Sequence, residues 1–361
     1  MISKSFYESL EAIAEERSLE IEKILSKVEI AMSVACKNSD VPYKGTIKLE
    51  ADVEKKKIKF YNYYYVVEEV DPEGPRGQLT LEEARLIKPK AKIGQELREE
   101  VNLSIFKRKA ASMFRQNLLN ELKGLEREEA FDFFNDKVGE VISARVIAKN
   151  DKFITFSLGK GMDATMSYRD ALPNEEFLVG EEKKVYLAKV EKTTKGPRVY
   201  ISRSNKEIIK KLFEMYIPEI SSGLIEIMGI SREPGSRTKI GVLSVNGDID
   251  PKGACVGNGG SRIKAINEIL NGEKIDIFVW RNNPIDLIAE ALSPAKVVSV
   301  MPDEKEKRAL VIANDDQFSL AIGRNGQNAK LAAFATGWKI DIKKLSEAYT
   351  EGIDFRYNVN C

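Results

Sequence analysis

The amino-acid sequence predicts an α+β multidomain protein: an N-terminal α/β head with long helices, then a small closed β-barrel, then two copies of one α/β domain. The length of 361 residues suits about two to four domains. Helix and strand patterns alternate up to about residue 134, and five short strand candidates follow. Beyond about residue 205, a glycine-rich loop occurs twice with the same flanking elements.

The composition favours a binding protein over an enzyme. Lysine and arginine total 57 against 56 aspartates and glutamates, so the formal charge of +1 indicates no chain-wide preference for nucleic acid. Histidine is absent, which excludes Ser-His-Asp and Cys-His catalytic units and every metal site that uses imidazole. Cys36, Cys255 and Cys361 are too widely spaced for a zinc ribbon or a disulfide framework and fit a reducing compartment. We therefore predict no catalytic residues, no metal and no cofactor.

No segment of the sequence resembles a targeting or membrane signal. The first residues lead into a charged stretch rather than the apolar core of a signal peptide. No apolar run approaches the roughly 18 residues that a membrane helix needs. We predict a soluble, cytoplasmic monomer with no membrane partner.

The head combines helices with two strands. Apolar residues at helical spacing predict a helix over residues 18–37, with Ser18 as its N-cap. Thr80 and Glu83 form a capping box at the start of a short helix that Pro89 ends. A long helix is predicted over residues 105–134, and the two strands are predicted over residues 46–53 and 57–67.

Residues 61–65, within the second of these strands, include four tyrosines that could stack on bases. In a strand, Tyr61, Tyr63 and Tyr65 point to one side, whereas Asn62 and Tyr64 point to the other. Aromatic residues also favour strands for packing reasons alone. We therefore interpret this run as strand packing rather than as an RNA-binding surface.

The middle of the chain contains five short strand candidates separated by glycines and prolines. They cover residues 138–148, 152–158, 162–166, 184–190 and 198–202. This spacing predicts a small barrel of the OB type, which binds single-stranded nucleic acid, although SH3-like barrels share the pattern. If Ile154 and Phe156 face the core, Phe153 faces outward and is the clearest base-stacking candidate on its strand.

The rest of the chain contains a duplicated domain. One copy carries Gly257-Asn258-Gly259-Gly260 and the other Gly323-Arg324-Asn325-Gly326, and each has a lysine four residues after its last glycine. Each copy then continues through a helical stretch to the strand Lys-Ile-Asp-Ile, which begins 14 residues after the last glycine in one copy and 13 in the other. Chance does not readily match a loop, a helix length and a terminal strand together.

A G-x-x-G loop between two helices is suited to binding a sugar-phosphate backbone. Its glycines let the protein backbone approach closely, and amides at the start of the next helix can face phosphate oxygens. The chain has no G-x-x-x-x-G-K-[ST] and no G-x-G-x-x-G between a strand and a helix, which argues against a nucleotide-binding fold. Between Asp250 and Glu268, and again between Asp316 and Asp341, the sequence has three bases and no acid, so positive charge is concentrated at each loop.

Stretches around these loops resemble the NusA family of bacterial transcription elongation factors: residues 217–220, 232–240, 250–257, 272–277 and 321–328. The resemblance covers essentially the whole chain. It implies an N-terminal RNA polymerase-binding domain, an S1 barrel of the OB type, two tandem KH domains of type II-like topology and a short tail. The boundaries that we assign to these parts are residues 1–134, 135–203, 204–282, 283–347 and 348–361.

By this resemblance the protein binds nascent single-stranded RNA and the RNA polymerase core, with other antitermination factors as further partners, and modulates pausing, termination and antitermination. Asn258 and Gly259 replace the Met-Arg pair that is frequent in the family, so we expect the first loop to bind RNA more weakly. We assign the RNA contacts to both loops, the helix starts behind them and one barrel residue: Gly257, Asn258, Gly259, Gly260, Ser261, Arg262, Lys264, Gly323, Arg324, Asn325, Gly326, Gln327, Asn328, Lys330 and Phe153.

Two alternative functions use the same modules. An RNA-processing nuclease would need carboxylates that bind a metal, and the nearest pairs, Asp315-Asp316 and Glu128-Glu129, fit a solvated surface better. A ribosome-associated RNA chaperone would associate with ribosomes rather than with polymerase. The long charged helices of the head favour protein docking over this second alternative.

Overall fold

The computed structural model describes residues 4–17, 19–38, 43–103, 108–194 and 196–359. Ser18, Cys361 and the predicted start of the long helix at residues 105–107 lie outside these ranges. The chain divides into two compact units, Met1–Asp132 with Thr193–Pro197, and Phe133–Lys192 with Arg198–Cys361.

The first unit packs helices against one face of a mixed sheet. Its elements in chain order are α1 (Lys4–Arg17), α2 (Ile21–Lys37), β1 (Thr46–Asp52), β2 (Lys57–Val67), β3 (Gln78–Thr80), α3 (Leu81–Ile87), β4 (Glu96–Glu100) and α4 (Arg108–Asn135). The apolar core joins α1, α2 and α4 to the inner faces of β1 and β2. Strand β2 is central: it pairs with β1 and β4 in the antiparallel sense and with β3 in the parallel sense.

The structure confirms the predicted strands and the capping box of this unit. The Thr80 side chain accepts a hydrogen bond from the Glu83 amide, and the Glu83 carboxylate accepts one from the Thr80 amide. Asn62 and Tyr64 are buried, while Arg98 lies over the Tyr61 ring at 4.8 Å. The tyrosine run therefore packs within the sheet. Helix α1 was not predicted, although Tyr7, Leu10 and Ala14 form its buried stripe.

The second unit begins with a nearly closed five-stranded barrel. Its strands are β5 (Val141–Lys149), β6 (Phe153–Gly159), β7 (Met162–Ser167), β8 (Glu182–Thr193) and β9 (Gly196–Ser202). The strand order β7-β6-β5-β8-β9 is consistent with the predicted OB type. Ile154 and Phe156 are completely buried, and Phe153 is 44% exposed, so the predicted alternation along β6 is confirmed.

Two repeats follow that share the order helix, strand, strand, helix, helix, strand, with one additional short helix in the first, and each forms a three-stranded sheet. The first repeat consists of α5 (Glu207–Tyr216), α6 (Pro218–Ser221), β10 (Ile225–Glu233), β11 (Arg237–Ser244), α7 (Pro251–Val256), α8 (Ser261–Ile269) and β12 (Lys274–Val279). The second consists of α9 (Pro284–Ala291), β13 (Val297–Asp303), β14 (Arg308–Ala313), α10 (Asp315–Ile322), α11 (Gln327–Thr336) and β15 (Lys339–Lys344), followed by α12 (Leu345–Thr350). Both place the last strand parallel to the middle strand, which confirms the predicted type II-like order.

Buried contacts join the barrel to the first repeat. The Arg203 side chain is completely buried and donates two hydrogen bonds to the Glu175 carboxylate of the barrel, at 2.7 and 2.5 Å. It also donates to the carbonyl oxygen of Ile269 at the end of α8, at 2.7 Å. Because this pair is desolvated and the Arg203 guanidinium donates to both the barrel and α8, it fixes the first repeat against the barrel.

The two repeats also pack on each other. Helix α11 of the second repeat lies so close to β10 of the first that a Cβ atom on Gly229 would lie 2.1 Å from the carbonyl oxygen of Ala335. Phe278 at the end of β12 belongs to the apolar core of the second repeat. The two loops are therefore held on one compact body. Within the part of the chain that the structure describes, no helix combines the length and apolarity needed to cross a bilayer.

Candidate nucleic-acid interface

The two glycine-rich loops follow the same backbone path. Gly257 has φ and ψ of 75° and 172°, and Gly323 has 76° and 173°. A single 3-10 turn follows in each loop, Asn258–Gly260 in the first and Arg324–Gly326 in the second, and leads directly into α8 or α11. This agreement between separately encoded segments shows that the loop is a defined element of both repeats.

Glycine is required at the first position of each loop. A φ near 75° with an extended ψ is a region that residues with a Cβ atom rarely occupy. A Cβ atom on Gly323 would also lie 2.8 Å from the backbone nitrogen of Asn328, and one on Gly257 would lie 2.8 Å from Cγ of Arg262. The helix behind each loop is thus packed directly against this glycine.

The residue two positions after the last glycine ties the two helices together in both repeats. Arg262 donates to the carbonyl oxygen of Ala254 at 2.7 Å, and Asn328 donates to that of Ala321 at 3.0 Å. Asn328 is only 6% exposed and also donates to the carbonyl oxygen of Leu292 at 2.9 Å. Asn328 therefore lies behind its loop, whereas Arg262 is partly exposed beside its own loop.

The remaining predicted loop residues are brought together on the surface of their own repeat. Asn258, Gly259, Ser261 and Lys264 are exposed in the first, and Arg324, Asn325 and Lys330 in the second. The Lys264 ammonium folds back to the carbonyl oxygen of Gly259 at 3.1 Å. Each surface thus combines helix-start amides with nearby cationic side chains, an arrangement that suits phosphate groups.

Acidic residues from other parts of the chain alter the local charge that the sequence predicts. Arg262 forms an ion pair with Glu219 of α6 at 2.7 Å, which neutralises one of the three bases of the first window. Gln327 at the start of α11 donates to Glu233 of the first repeat at 2.6 Å. The sequence windows lack acids, but the folded loops do not, because these carboxylates come from positions about 40 and 90 residues away. No local signal in the sequence predicts either contact.

The barrel presents a second, smaller surface with exposed aromatic side chains. Phe153 pairs with Ser167 across β6 and β7, and Tyr168 follows Ser167 in the chain. Tyr168 is 43% exposed and lines a shallow cavity with Lys149, Asn150 and Asp151. The sequence prediction included Phe153 alone. It missed Tyr168 because this residue follows the end of β7, where the alternation of side chains along a strand no longer indicates which face of the sheet a residue occupies.

One carboxylate of each pair considered for a nuclease is engaged in another contact. The Asp315 carboxylate accepts hydrogen bonds from the hydroxyl and the amide of Ser346, which lower its pKa. Glu129 forms an ion pair with Lys23. Across the described ranges, no group of three or more acidic or cysteine side chains is placed to hold a metal ion.

Three regions of the chain match models of known protein families. Residues 5–128 match the NusA N-terminal domain, residues 203–280 the NusA-like first KH domain, and residues 284–350 the NusA-like second KH domain. The NusA transcription termination/antitermination protein of Bacillus subtilis is 38% identical over 352 residues, which cover 98% of this chain and 94% of that protein. The chain belongs to the NusA family.

Other NusA proteins show comparable similarity. The transcription termination/antitermination protein NusA of Thermus thermophilus is 35% identical over 362 residues, covering 96% of this chain and 93% of that protein. That of Halalkalibacterium halodurans is 38% identical and covers 98% of this chain and 91% of its own. These names describe transcription factors rather than enzymes, which favours our first interpretation over the nuclease. The solution structure of the B. subtilis NusA N-terminal domain matches with 25% identity and a TM-score of 0.25, covering 35% of this chain and 99% of that one.

Proposed function

We propose that this NusA-family protein binds single-stranded nascent RNA through its two KH loops while its N-terminal domain associates with the RNA polymerase core. It would thereby modulate pausing, termination and antitermination in the cytoplasm, as a monomer and together with other antitermination factors. The names of its relatives, all termination/antitermination proteins, support this role.

The matched geometry of the two loops is the observation that carries the proposal. Equal backbone angles at Gly257 and Gly323 present the starts of α8 and α11 in the same way. Both loops, with the barrel, belong to one compact unit. One RNA strand that followed this unit would meet the same phosphate-binding element twice.

The predicted site residues divide into two roles under this proposal. The residues that would touch RNA are those exposed on the loops, with Lys264, Arg324 and Lys330 as cations and Phe153 as a stacking ring on the barrel. Arg262 and Asn328 would act indirectly, since they hold each loop against the helix that precedes it. Arg324 has no ion pair within the described residues, whereas Arg262 pairs with Glu219, so we expect the second loop to bind phosphate more strongly.

Charge substitution in the loops tests the RNA-binding proposal. Asn258→Asp and Asn325→Asp each place a carboxylate beside the phosphate path, and we expect an affinity loss of about tenfold or more for single-stranded RNA from either variant. Asn271→Asp is a matched control, because Asn271 is exposed at the far end of α8 and has a φ of 57°, close to the 54° of Asn325. RNA affinity is measured by fluorescence anisotropy, and circular dichroism verifies the fold.

Both loop variants should lose affinity while the control keeps it. Unchanged binding by both Asn258→Asp and Asn325→Asp would contradict the assignment of the loops. An equal loss in Asn271→Asp would show that net charge, rather than the loop position, controls binding.

Association with polymerase needs a separate experiment on the full chain. The protein is mixed with purified RNA polymerase core, the complex is isolated by gel filtration, and lysine crosslinks are mapped. We expect co-elution, with crosslinks concentrated in residues 1–134. Elution as separate species, or crosslinks confined to the KH domains, would contradict this part of the proposal.

A further inference from the structure

A phenylalanine ring is exposed on α11, the helix that follows the second glycine-rich loop. Phe334 is 69% exposed, more than any other large apolar side chain in the described part of the second unit. The ring belongs to none of the apolar clusters of the described residues and has no aromatic or ammonium partner among them. The packing of the second KH domain therefore does not account for it.

A lysine accompanies this ring on the same face of the helix. Lys330 and Phe334 are the two exposed residues of α11. Residues i and i+4 of an α-helix lie about 40° apart around the axis, with their Cβ atoms about 5–6 Å apart. Among the described residues, no carboxylate lies within ion-pair distance of the Lys330 ammonium. An available cation next to an open ring matches the two parts of a nucleotide, an anionic phosphate and a flat base.

The face that carries this pair points away from the helix face that lines a cleft beside the glycine-rich loop. Ile263 of α8 lines such a cleft in the first domain, and Ala329 corresponds to it in α11, because each lies three residues after the last loop glycine. At about 100° per residue, Phe334 lies about 140° around the helix from Ala329. Leu331 and Ala332 are buried and occupy the remaining side. The pair therefore forms a surface separate from the loop and its cleft.

The first KH domain has a carboxylate where the second has the ring. Counted from the last glycine of each loop, Lys264 corresponds to Lys330 and Glu268 to Phe334, and both residues of the first domain are exposed. A glutamate four residues from a lysine offers that lysine an anion within the helix and repels a phosphate. Helix α11 contains no acidic residue. The combination of an unopposed lysine and an exposed ring is thus specific to the second domain.

We propose that Phe334 stacks on one nucleobase of the RNA strand that passes the second loop, while Lys330 pairs with the phosphate of the same nucleotide. The inference rests on the proposed RNA-binding function and adds a contact outside the loop. Every nucleobase has a π face, so the contact tolerates any sequence, with a preference for bases that stack strongly. Bases inside a duplex are already stacked on both faces, so this surface selects single strands.

The composition of this surface favours RNA over a protein partner. Protein docking sites on soluble proteins are contiguous apolar patches of several hundred Å². The exposed part of α11 offers one ring beside one cation instead. Continuity with the second loop, whose Arg324 and Asn325 are exposed at the start of the same helix, places the ring where a bound strand would continue.

An abasic strand separates a base contact from a phosphate contact. The affinities of the full chain and of Phe334→Ala are measured by fluorescence anisotropy for poly(A) and for an abasic strand of equal length. We expect Phe334→Ala to lower the affinity for poly(A) by about fivefold to a hundredfold, the range of one base–aromatic stack, and to leave the affinity for the abasic strand unchanged. Because the side chain is exposed, the variant should fold like the wild type, which circular dichroism verifies.

Three further substitutions distinguish stacking from a general apolar contact. Phe334→Trp retains a flat ring and should keep the wild-type affinity for poly(A) or raise it. Phe334→Leu retains apolar area without a π face and should bind poly(A) as weakly as Phe334→Ala. Glu268→Phe creates the same lysine–ring pair on α8 and should raise the affinity for poly(A) relative to the abasic strand. Wild-type affinity in Phe334→Leu, or no gain in Glu268→Phe, would contradict the stacking role.

Unchanged poly(A) binding by Phe334→Ala, or an equal loss on both strands, would overturn the inference. Loss of co-elution with the polymerase core, with RNA binding intact, would identify the ring as a protein contact and overturn it as well. The Asn325→Asp variant separates these outcomes from failure of the proposed function. Its carboxylate acts on phosphates, so it should weaken binding of both strands even if Phe334 has no role. Unchanged binding of both strands by Asn325→Asp would instead contradict the assignment of the second loop.

Discussion

The two KH domains share one backbone path but stabilise it with different side chains. In the first, the Glu273 carboxylate is completely buried and accepts from Arg232 at 2.8 Å and from the Thr238 hydroxyl at 2.5 Å. In the second, the strand register places Trp338 at the position of Glu273 and Ala309 at that of Thr238. Both of those residues are buried as well.

This difference shows that the loop geometry does not depend on one kind of core. A buried ion pair in the first domain and a packed indole in the second fill the same place at the end of the sheet. The desolvated ion pair must be hydrogen-bonded to be stable, whereas the indole must only fit the space between its neighbours. The features common to both domains are the loop glycines and the arginine–aspartate pair between neighbouring strands. The loop glycines and the arginine–aspartate pair are therefore the structural features that the two KH domains share.

The largest expected effect on stability comes from substituting Glu273 in the ion-paired core of the first KH domain. Glu273→Gln leaves the Arg232 guanidinium buried without its partner charge, so we expect the free energy of unfolding of the first KH domain to fall by about 3–5 kcal/mol. The double variant Arg232→Met with Glu273→Leu, which imitates the apolar second domain, should recover much of this loss. Hydrogen exchange of the β10–β12 amides reports both changes. A double variant as unstable as Glu273→Gln would show that the two cores are not interchangeable.

The loop glycines should differ in their tolerance of a side chain. Gly323→Ala and Gly257→Ala both force a residue with a Cβ atom into a backbone region that costs about 1–3 kcal/mol. Gly323→Ala should lie at the upper end, because the new Cβ atom meets the backbone nitrogen of Asn328, whereas in Gly257→Ala it meets the flexible Arg262 side chain. Thermal unfolding measures the order, and a larger loss in Gly257→Ala would contradict this steric account.

Asn328 and Arg262 should affect different properties. Asn328→Ala removes the side-chain donor to the carbonyl groups of Ala321 and Leu292, of which Leu292 keeps the Ala295 amide, and should lower the free energy of unfolding by about 1–2 kcal/mol. Arg262→Met should change stability less, because its ion pair with Glu219 is partly exposed. It should instead weaken RNA binding, since the Glu219 carboxylate is then unpaired near the first loop. If Arg262→Met binds RNA as tightly as the wild type, Glu219 does not influence the phosphate path.

The smallest expected effect concerns the shared arginine–aspartate pairs. The side chains of Arg237 and Asp276 are each 27% exposed, whereas those of Arg308 and Asp341 are 59% and 53% exposed. Solvent screens the second pair more strongly. Arg237→Ala should therefore lower the melting temperature measurably, and Arg308→Ala should leave it within experimental error. Equal shifts in differential scanning calorimetry would show that exposure does not separate the two pairs.

Much of the fold could be predicted because its signals are local. The capping box at Thr80, the alternation along β6 and the strand over residues 57–67 depend on neighbouring residues, and the structure confirms all three. The repeat was equally visible, since its glycines and its Lys-Ile-Asp-Ile strand recur at nearly constant spacing. Helix α1 carried a comparable stripe of apolar residues and could have been found from it.

The sequence by itself determined the glycine-rich loops, because a positive φ at Gly257 or Gly323 is a property of one residue and its immediate neighbours. Only the tertiary structure decided which of the nearby polar side chains remain available to a ligand. Arg262 is paired with Glu219, Asn328 is buried, and Lys239 is enclosed in a cavity that the second KH domain completes. Burial and charge pairing join residues that lie tens of positions apart in the chain, so no local pattern contains them.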